Sequence, residues 1–232
     1  MHRRAFVDLD VIRSTALAST SPLPDCTADL RADAYGHGLI PVARTLTDAG
    51  VGGFLVSRIE DAAALADDGI PTRVIVGDPA DGPLIGPELF GLDPARPAPA
   101  AMRLEAEIVA VKRIEAGRGV SYGYTYRTEH PTTLVLVALG YADGILRVAS
   151  NRGPVQVGDT RGRITGRIAM DQFVVDIGDA TAGLGDPVVV FGDGSRGEPT
   201  VLDWADALGV AAPVITSRLG RRIERVYERP AA

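Results

Sequence analysis

Lysine is almost absent from the chain. Among 232 residues only Lys112 carries a primary amine on its side chain, and every other basic side chain is an arginine. Chemistry that needs an amine nucleophile therefore has Lys112 or no side chain at all. Cysteine is as scarce. Cys26 stands alone, which excludes an intrachain disulfide. No apolar run approaches the roughly 20 residues of a membrane-spanning helix. Arg3 and Arg4 are followed by no long apolar stretch, so no signal peptide is expected. No run of one charge is long enough to form a tail. The net charge of -6 argues against nucleic acid, whose phosphates call for clustered cations. No His, Cys, Asp and Glu residues fall at metal-ligand spacing. These absences predict a cytoplasmic protein with no metal, no membrane segment and no nucleic-acid partner.

What is present suffices for one large domain or two small ones, since 46% of the residues are hydrophobic. The first third alternates strands and helices. Ala5 to Leu9 reads as a strand, with Asp10 capping a helix to about Ser19. Cys26 to Ala32 reads as a short strand. Leu39, Val42, Ala43 and Leu46 then recur at helical spacing. Gly53 to Val56 is a strand, Ser57 with Glu60 a capping box, and Ile59, Ala62, Ala63 and Ala66 an apolar stripe. Thr72 to Val76 is a further strand. This is a parallel βα pattern. It breaks between Gly77 and Gly91, and Asp93 to Pro99 is rich in proline. From Met102 onward, short alternating strands punctuated by Gly and Asp predict an all-β barrel or sandwich. They run from Leu104 to Ile114, Thr132 to Leu139, Pro154 to Val157, Arg163 to Ile168, Phe173 to Ile177 and Pro187 to Phe191. Thr200 to Leu208 and Pro213 to Leu219 read as helices, and Arg222 to Tyr227 as a closing strand.

The stretch most charged with chemistry is Arg31-Ala32-Asp33-Ala34-Tyr35-Gly36-His37-Gly38. It places a tyrosine and a histidine at the carboxyl end of a strand, where α/β folds build their sites. It closely resembles the cofactor motif Lys-Ala-Asp-Ala-Tyr-Gly-His-Gly of alanine racemases, with Arg31 in the lysine's place. Gly140-Tyr141-Ala142-Asp143-Gly144 and Gly166-Arg167-Ile168-Ala169-Met170-Asp171-Gln172 resemble two motifs of the same family's β domain. The resemblance implies a fold: an incomplete parallel β/α barrel over residues 1–92, a Pro-rich linker over 93–101, and an all-β C-terminal barrel over 102–232. A complete (β/α)8 barrel takes about 200 residues or more, so most of the barrel wall is missing after Val76.

The resemblance also implies roles. Tyr141 corresponds to the acid/base tyrosine. The Met170 backbone corresponds to the group that meets the substrate carboxylate, with Asp171 in support. Tyr35 and Gly86 correspond to phosphate contacts, and His37 supports the turn. In the family the lysine holds pyridoxal phosphate as a Schiff base. A guanidinium stays protonated at any working pH and forms no imine. Leu84 stands at the position of the pyridine-facing arginine and Pro213 at that of a second phosphate tyrosine. Pro87 has no N–H to offer a phosphate.

These departures predict a protein that expects no cofactor, with non-covalent pyridoxal phosphate left open. Two functions compete. In the first, a repurposed enzyme binds a small anionic ligand at Arg31, with Tyr141 transferring a proton. In the second, a non-catalytic relative binds a ligand or a partner protein. Alanine racemisation itself is the least favoured reading. A homodimer is expected, as in the family. An open sheet that left about 500 Å² of apolar surface wet would forfeit on the order of 12 kcal/mol, comparable to a domain's whole net stability.

Overall fold

A computed structural model describes residues 2–78 and 82–228. The irregular stretch expected after Val76 includes residues 79–81, which lie outside the described residues. The chain forms two compact units. One comprises residues 6–102 with the C-terminal strand from 225, the other residues 103–224 with the first five.

β1 (Arg3–Asp8), whose last three residues belong to the first unit, leads into α1 (Leu9–Leu17). The cap of α1 is Asp8, whose carboxylate accepts the N–H groups of Asp10 and Val11 at 2.9 and 3.0 Å. Asp10 was the expected cap; it lies inside the first turn instead, where its charge still favours the helix dipole. β2 is short, Thr27–Asp29, because the backbone becomes left-handed from Ala32. α2 (Leu39–Asp48) buries the predicted stripe of Leu39, Val42, Ala43 and Leu46. β3 (Gly53–Val56), α3 (Ile59–Asp67), β4 (Arg73–Val76) and β5 (Leu84–Ile85) follow.

The Ser57 and Glu60 capping box does not form. Arg58 is the N-cap, without a side-chain cap bond, and it pairs with Asp61 at 2.7 Å. The alanine stripe is also rotated out of the core. Ile59 is 73% exposed, and Leu65 is the residue that α3 buries. Alanines contribute little apolar area, so one leucine decides which face turns inward.

The strands form a parallel sheet in the order β4-β3-β2-β5. The sheet face expected to need a partner's cover is already covered within one chain. All of Gly53, Phe54, Leu55 and Val56 are buried, so both faces of β3 are covered. What remains exposed is the edge strand β4, where Arg73 and Val76 face solvent.

The second unit begins with the long strand β6 (Met102–Ile114). A two-stranded ribbon follows, β7 (Gly119–Val120) with β8 (Tyr126–Arg127). Then come β9 (Thr132–Val137), β10 (Pro154–Val157), β11 (Thr160–Thr165), β12 (Phe173–Asp176) and β13 (Pro187–Phe191). They pair antiparallel in the order β13-β10-β11-β12-β9-β6, and β13 pairs back on β6. The sheet thus closes into a barrel and leaves no free edge among these strands. Val135, Val137, Ile164, Phe173 and Val175 fill the interior, each no more than 1% exposed.

Thr200 and Asp203 form a capping box that starts α4 (Val201–Leu208). α5 (Ala212–Thr216) and β14 (Glu224–Glu228) end the described chain. Trp204 on α4 packs edge-on against Phe191 at 6.4 Å, and its indole N–H donates to the Val190 carbonyl at 2.7 Å. Replacing Trp204 by Phe keeps most of the apolar packing and orphans that carbonyl. It is expected to lower unfolding stability by about 1–3 kcal/mol. Urea denaturation followed by circular dichroism measures this; an unchanged midpoint would mean the indole bond contributes nothing.

Candidate functional site

In the first unit, the predicted residues gather around a carboxylate that sequence reasoning did not single out. Asp29 ends β2 and is only 2% exposed. The Arg31 Nε donates to one of its oxygens at 2.9 Å and Nη2 to the other at 2.6 Å, while the Arg31 backbone N–H donates at 3.1 Å. The Tyr35 hydroxyl donates to the same carboxylate at 2.7 Å. Burial alone would push the Asp29 carboxyl up. The Arg31 and Tyr35 hydrogen bonds outweigh it and hold the group below the usual carboxylate range. Burial, then Asp29, pushes the Tyr35 phenol up, so it stays a donor. Hydrogen bonding to Asp29 likewise holds the Arg31 proton more firmly than usual.

The backbone that arranges this cluster is strained. Ala32, Asp33, Ala34 and Tyr35 have φ of 54°, 59°, 52° and 55°, a left-handed run without a glycine. Several bonds hold it there. The Asp33 carboxylate accepts the Leu39 N–H at 2.7 Å, and the Asp33 carbonyl accepts the Gly38 N–H at 2.9 Å. Arg225 donates to the Gly36 carbonyl at 3.2 Å. The His37 Nδ1 faces the carbonyls of Ala34 and Tyr35 at 3.1 and 3.2 Å, so it must be the donor and the ring is the Nδ1–H tautomer. His37 is fully buried, with its ring 4.5 Å from that of Phe90. Its role is to pin the turn.

Gly86 lies against this cluster. A Cβ there would sit 3.4 Å from that of Asp29 and 3.6 Å from the Tyr35 hydroxyl. Its N–H is already used, donating to Glu88 at 3.1 Å, and Glu88 is paired in turn with Arg96. Arg31 was expected to offer a free fork to an anionic ligand. It does not: both arms of the fork close on Asp29. A cavity of about 490 Å³ in this unit is lined by Ser14, Thr20, Leu84, Glu88, Arg96 and Pro97, among others, and shares none of its lining with Asp29, Arg31 or Tyr35.

In the second unit, Tyr141 and Met170 come together. Gly140 enters a short 3-10 turn, Tyr141–Asp143, and Gly144 leaves it at φ 104°. The Tyr141 N–H donates to the Ala169 carbonyl at 3.1 Å and the Ala142 N–H to that of Met170 at 2.9 Å. A Cβ on Gly140 would lie 2.3 Å from the Met170 oxygen, so only glycine permits this approach. Tyr141 is 40% and Met170 54% exposed. The Arg147 guanidinium lies 5.6 Å from the centre of the Tyr141 ring. Asp171, beside Met170, pairs with Arg222 at 2.6 Å. Lys112 lies on an exposed stretch of β6.

Comparison with known proteins bears on both clusters. The family described as "Alanine racemase, N-terminal domain" matches residues 8–84, and "Alanine racemase, C-terminal domain" matches residues 101–227. An alanine racemase of Thermobifida fusca is 44% identical over 190 residues, covering 82% of this chain and 47% of that protein. One of Beutenbergia cavernae is 51% identical over 158 residues, covering 68% of this chain and 40% of its own. The chain therefore spans about half the length, or less, of these curated relatives. The crystal structure of an alanine racemase from a D-cycloserine-producing Streptomyces lavendulae superposes with a TM-score of 0.92 at 28% identity, covering 100% of this chain and 98% of that one.

These findings overturn two expectations. Relatives this similar, all named alanine racemase, speak against a repurposed cofactor-independent enzyme or a non-catalytic binder, and for the reading that was least favoured. The expectation of no cofactor belonged to the same reading and falls with it; a structure of the alanine racemase of Bartonella henselae, alike in fold at a TM-score of 0.84 and 20% identity, carries covalently bound pyridoxal phosphate. Similarity over most of the chain outweighs differences at single positions. The residues at position 31 and around it nevertheless do not fit a covalent linkage there. Arg31 has no imine-forming amine, and its guanidinium and the Tyr35 phenol are both engaged by Asp29.

The buried His37 sets a pH dependence. Burial lowers its pKa to about 4, whereas the unfolded imidazole takes a proton near ~6.5. Between those values the unfolded chain binds more protons, so stability falls as the pH drops from about 6.5 to about 4, by up to about 3 kcal/mol. His37→Gln keeps a donor for the two carbonyls and does not titrate. Urea unfolding across this window is expected to show a shallower pH slope in the variant; equal slopes would locate the titration elsewhere.

Proposed function

We propose that this chain, which belongs to the alanine racemase family, racemises alanine or a close α-amino acid analogue, with Tyr141 handling a proton at the α-carbon. The observation that carries this reading is the 44–51% identity to proteins named alanine racemase. The intact Gly140–Gly144 turn supports it. That turn presents a half-exposed phenol beside the Met170 backbone, which we assign to the substrate carboxylate. General acid/base catalysis needs a proton-carrying group within hydrogen-bond reach of the reacting carbon's proton, and an exposed phenol on a rigid turn can supply it.

Racemisation also needs an electron sink. We read Arg31 as standing where relatives have the cofactor lysine, and assign residue 31 no covalent role. Asp29, Arg31 and Tyr35 supply charge and hydrogen bonds at this site, not an amine. We further propose that residues 93–101 link a shortened barrel part, 1–92, to the β domain, 102–232; the matched family segments end at 84 and resume at 101. We place the protein's work in the cytoplasm, where the free, buried thiol of Cys26 suits reducing surroundings. No helix among the described residues is long and apolar enough to cross a membrane.

The test is direct. Purified protein is incubated with L-alanine, with and without added pyridoxal phosphate, and the product is resolved by chiral chromatography. D-Alanine is expected when the cofactor is added, and Tyr141→Phe is expected to lower its rate by about 10²–10⁴-fold. Borohydride reduction followed by peptide mapping is expected to find no adduct at residue 31. Absence of D-alanine under both conditions would overturn the proposal.

We also infer a homodimer, supported by the exposed parallel edge at β4, since free edges invite pairing. Light scattering at micromolar concentration is expected to give about twice the 24.3 kDa of one chain. A well-folded monomer would refute it.

A further inference from the structure

Arg222 touches both of the loops that form the second-unit cluster. Its Nε lies 3.1 Å from Oδ1 of Asp143, at the end of the Tyr141 turn, and its Nη2 lies 2.6 Å from Oδ1 of Asp171, beside Met170. Asp143 is fully buried. Its Oδ2 accepts the Gly140 N–H at 2.8 Å, which closes the turn on itself. Its Oδ1 is held by charge alone: Arg3 and Arg222 approach it at 3.3 and 3.1 Å, without hydrogen-bond alignment. Its backbone carbonyl accepts the Gly220 N–H at 2.8 Å, which brings the segment bearing Arg222 under the turn.

We propose that Arg222 is a positioning residue for Tyr141. By bridging Asp143 and Asp171 it locks the Gly140–Gly144 turn onto the Ala169–Gln172 loop, so that phenol and methionine backbone move as one body. The locking stands on geometry alone; its consequence for turnover rests on the racemase reading above. A half-exposed ion pair contributes little to global stability. The function of this one is to suppress local opening, which is set by few and exposed contacts. Without Arg222, Asp143 keeps Arg3, but among the described residues the hydrogen bonds between the two loops are those from Tyr141 and Ala142 to the carbonyls of Ala169 and Met170. Those two amides belong to exposed residues, so water can compete for them.

The same two amides give the readout. In Arg222→Met, hydrogen exchange at Tyr141 and Ala142 is expected to speed up by about tenfold, with exchange at the barrel residue Val135 unchanged. Turnover is expected to lose about tenfold in kcat/KM, because a misaimed phenol weakens the transition state and a loosened Met170 backbone weakens the hold on the substrate carboxylate. Arg222→Lys is expected to recover part of both, since an ammonium is a point charge and holds one carboxylate at a time. Asp171→Asn cuts only the exposed arm and decides the matter if Arg222→Met fails to fold. Wild-type exchange at Tyr141 and Ala142 in Arg222→Met, or in Asp171→Asn where that variant must decide, overturns the proposal. So does a fall in kcat/KM without a change in exchange. Faster exchange in a protein whose wild type makes no D-alanine leaves the lock established and removes the racemase reading.

Discussion

Four consecutive left-handed residues, Ala32 to Tyr35, are the constraint on which the first-unit cluster depends. At about 1–2 kcal/mol for each L-residue in that region, the run costs on the order of 4–8 kcal/mol. Such a cost persists only where the surroundings over-determine the conformation. Here they do. Asp33 collects three downstream N–H groups, His37 bonds two carbonyls from below, and Arg225 holds the carbonyl of Gly36. The tight left-handed coil carries the chain from the end of β2 to the start of α2 in few residues. It sends Tyr35 back toward Asp29 instead of away from it. A right-handed turn would continue the helical direction and lose that contact.

Each unit is thus organised around a buried carboxylate. Asp29 collects a guanidinium and a phenol, and Asp143 collects two guanidinium groups and a backbone N–H. The two differ in what they leave free. Asp29 engages the side chains nearest it, so the cluster is closed electrostatically. Asp143 sits beneath its turn and leaves the Tyr141 phenol half exposed. The geometry therefore differs between the units: the first closes on its own strand end, and the second leaves a phenol open to solvent.

Much of this was legible in the sequence, and the failures have physical causes. α2 was readable because its four apolar residues sit at helical spacing and all are long or branched enough to matter, apart from Ala43. α3 was misread because a stripe of alanines carries too little area to orient a helix against one leucine. The cap of α1 slipped by two residues because two aspartates, Asp8 and Asp10, both suit an N-cap and only backbone conformation chooses between them. Asp29 was hidden for a different reason. In sequence it is a polar residue at a strand end, and nothing local reveals that it is buried. The nearest signal was its spacing: residues 29 and 31 are two apart, so in a strand they share a face. Arg222 could not have been found at all, because its partners lie about 50 and 80 residues away and meet it only after the barrel closes.

Asp29 and Arg31 have to be understood as one unit, and this shapes how position 31 relates to the family. An isolated exchange of lysine for arginine would leave a strand end otherwise ready for an amine. The strand end here is not so. Its buried carboxylate is ionised because a permanent cation faces it, and that cation is held because the carboxylate cannot find water. A lysine placed at 31 would meet the same carboxylate and be held as ammonium, since a near opposite charge favours the charged form. Only a neutral amine attacks a carbonyl. A lysine at residue 31 alone would therefore complete the resemblance to the racemase cofactor motif and not its chemistry. An amine at this strand end would have its charge set by Asp29, two positions upstream.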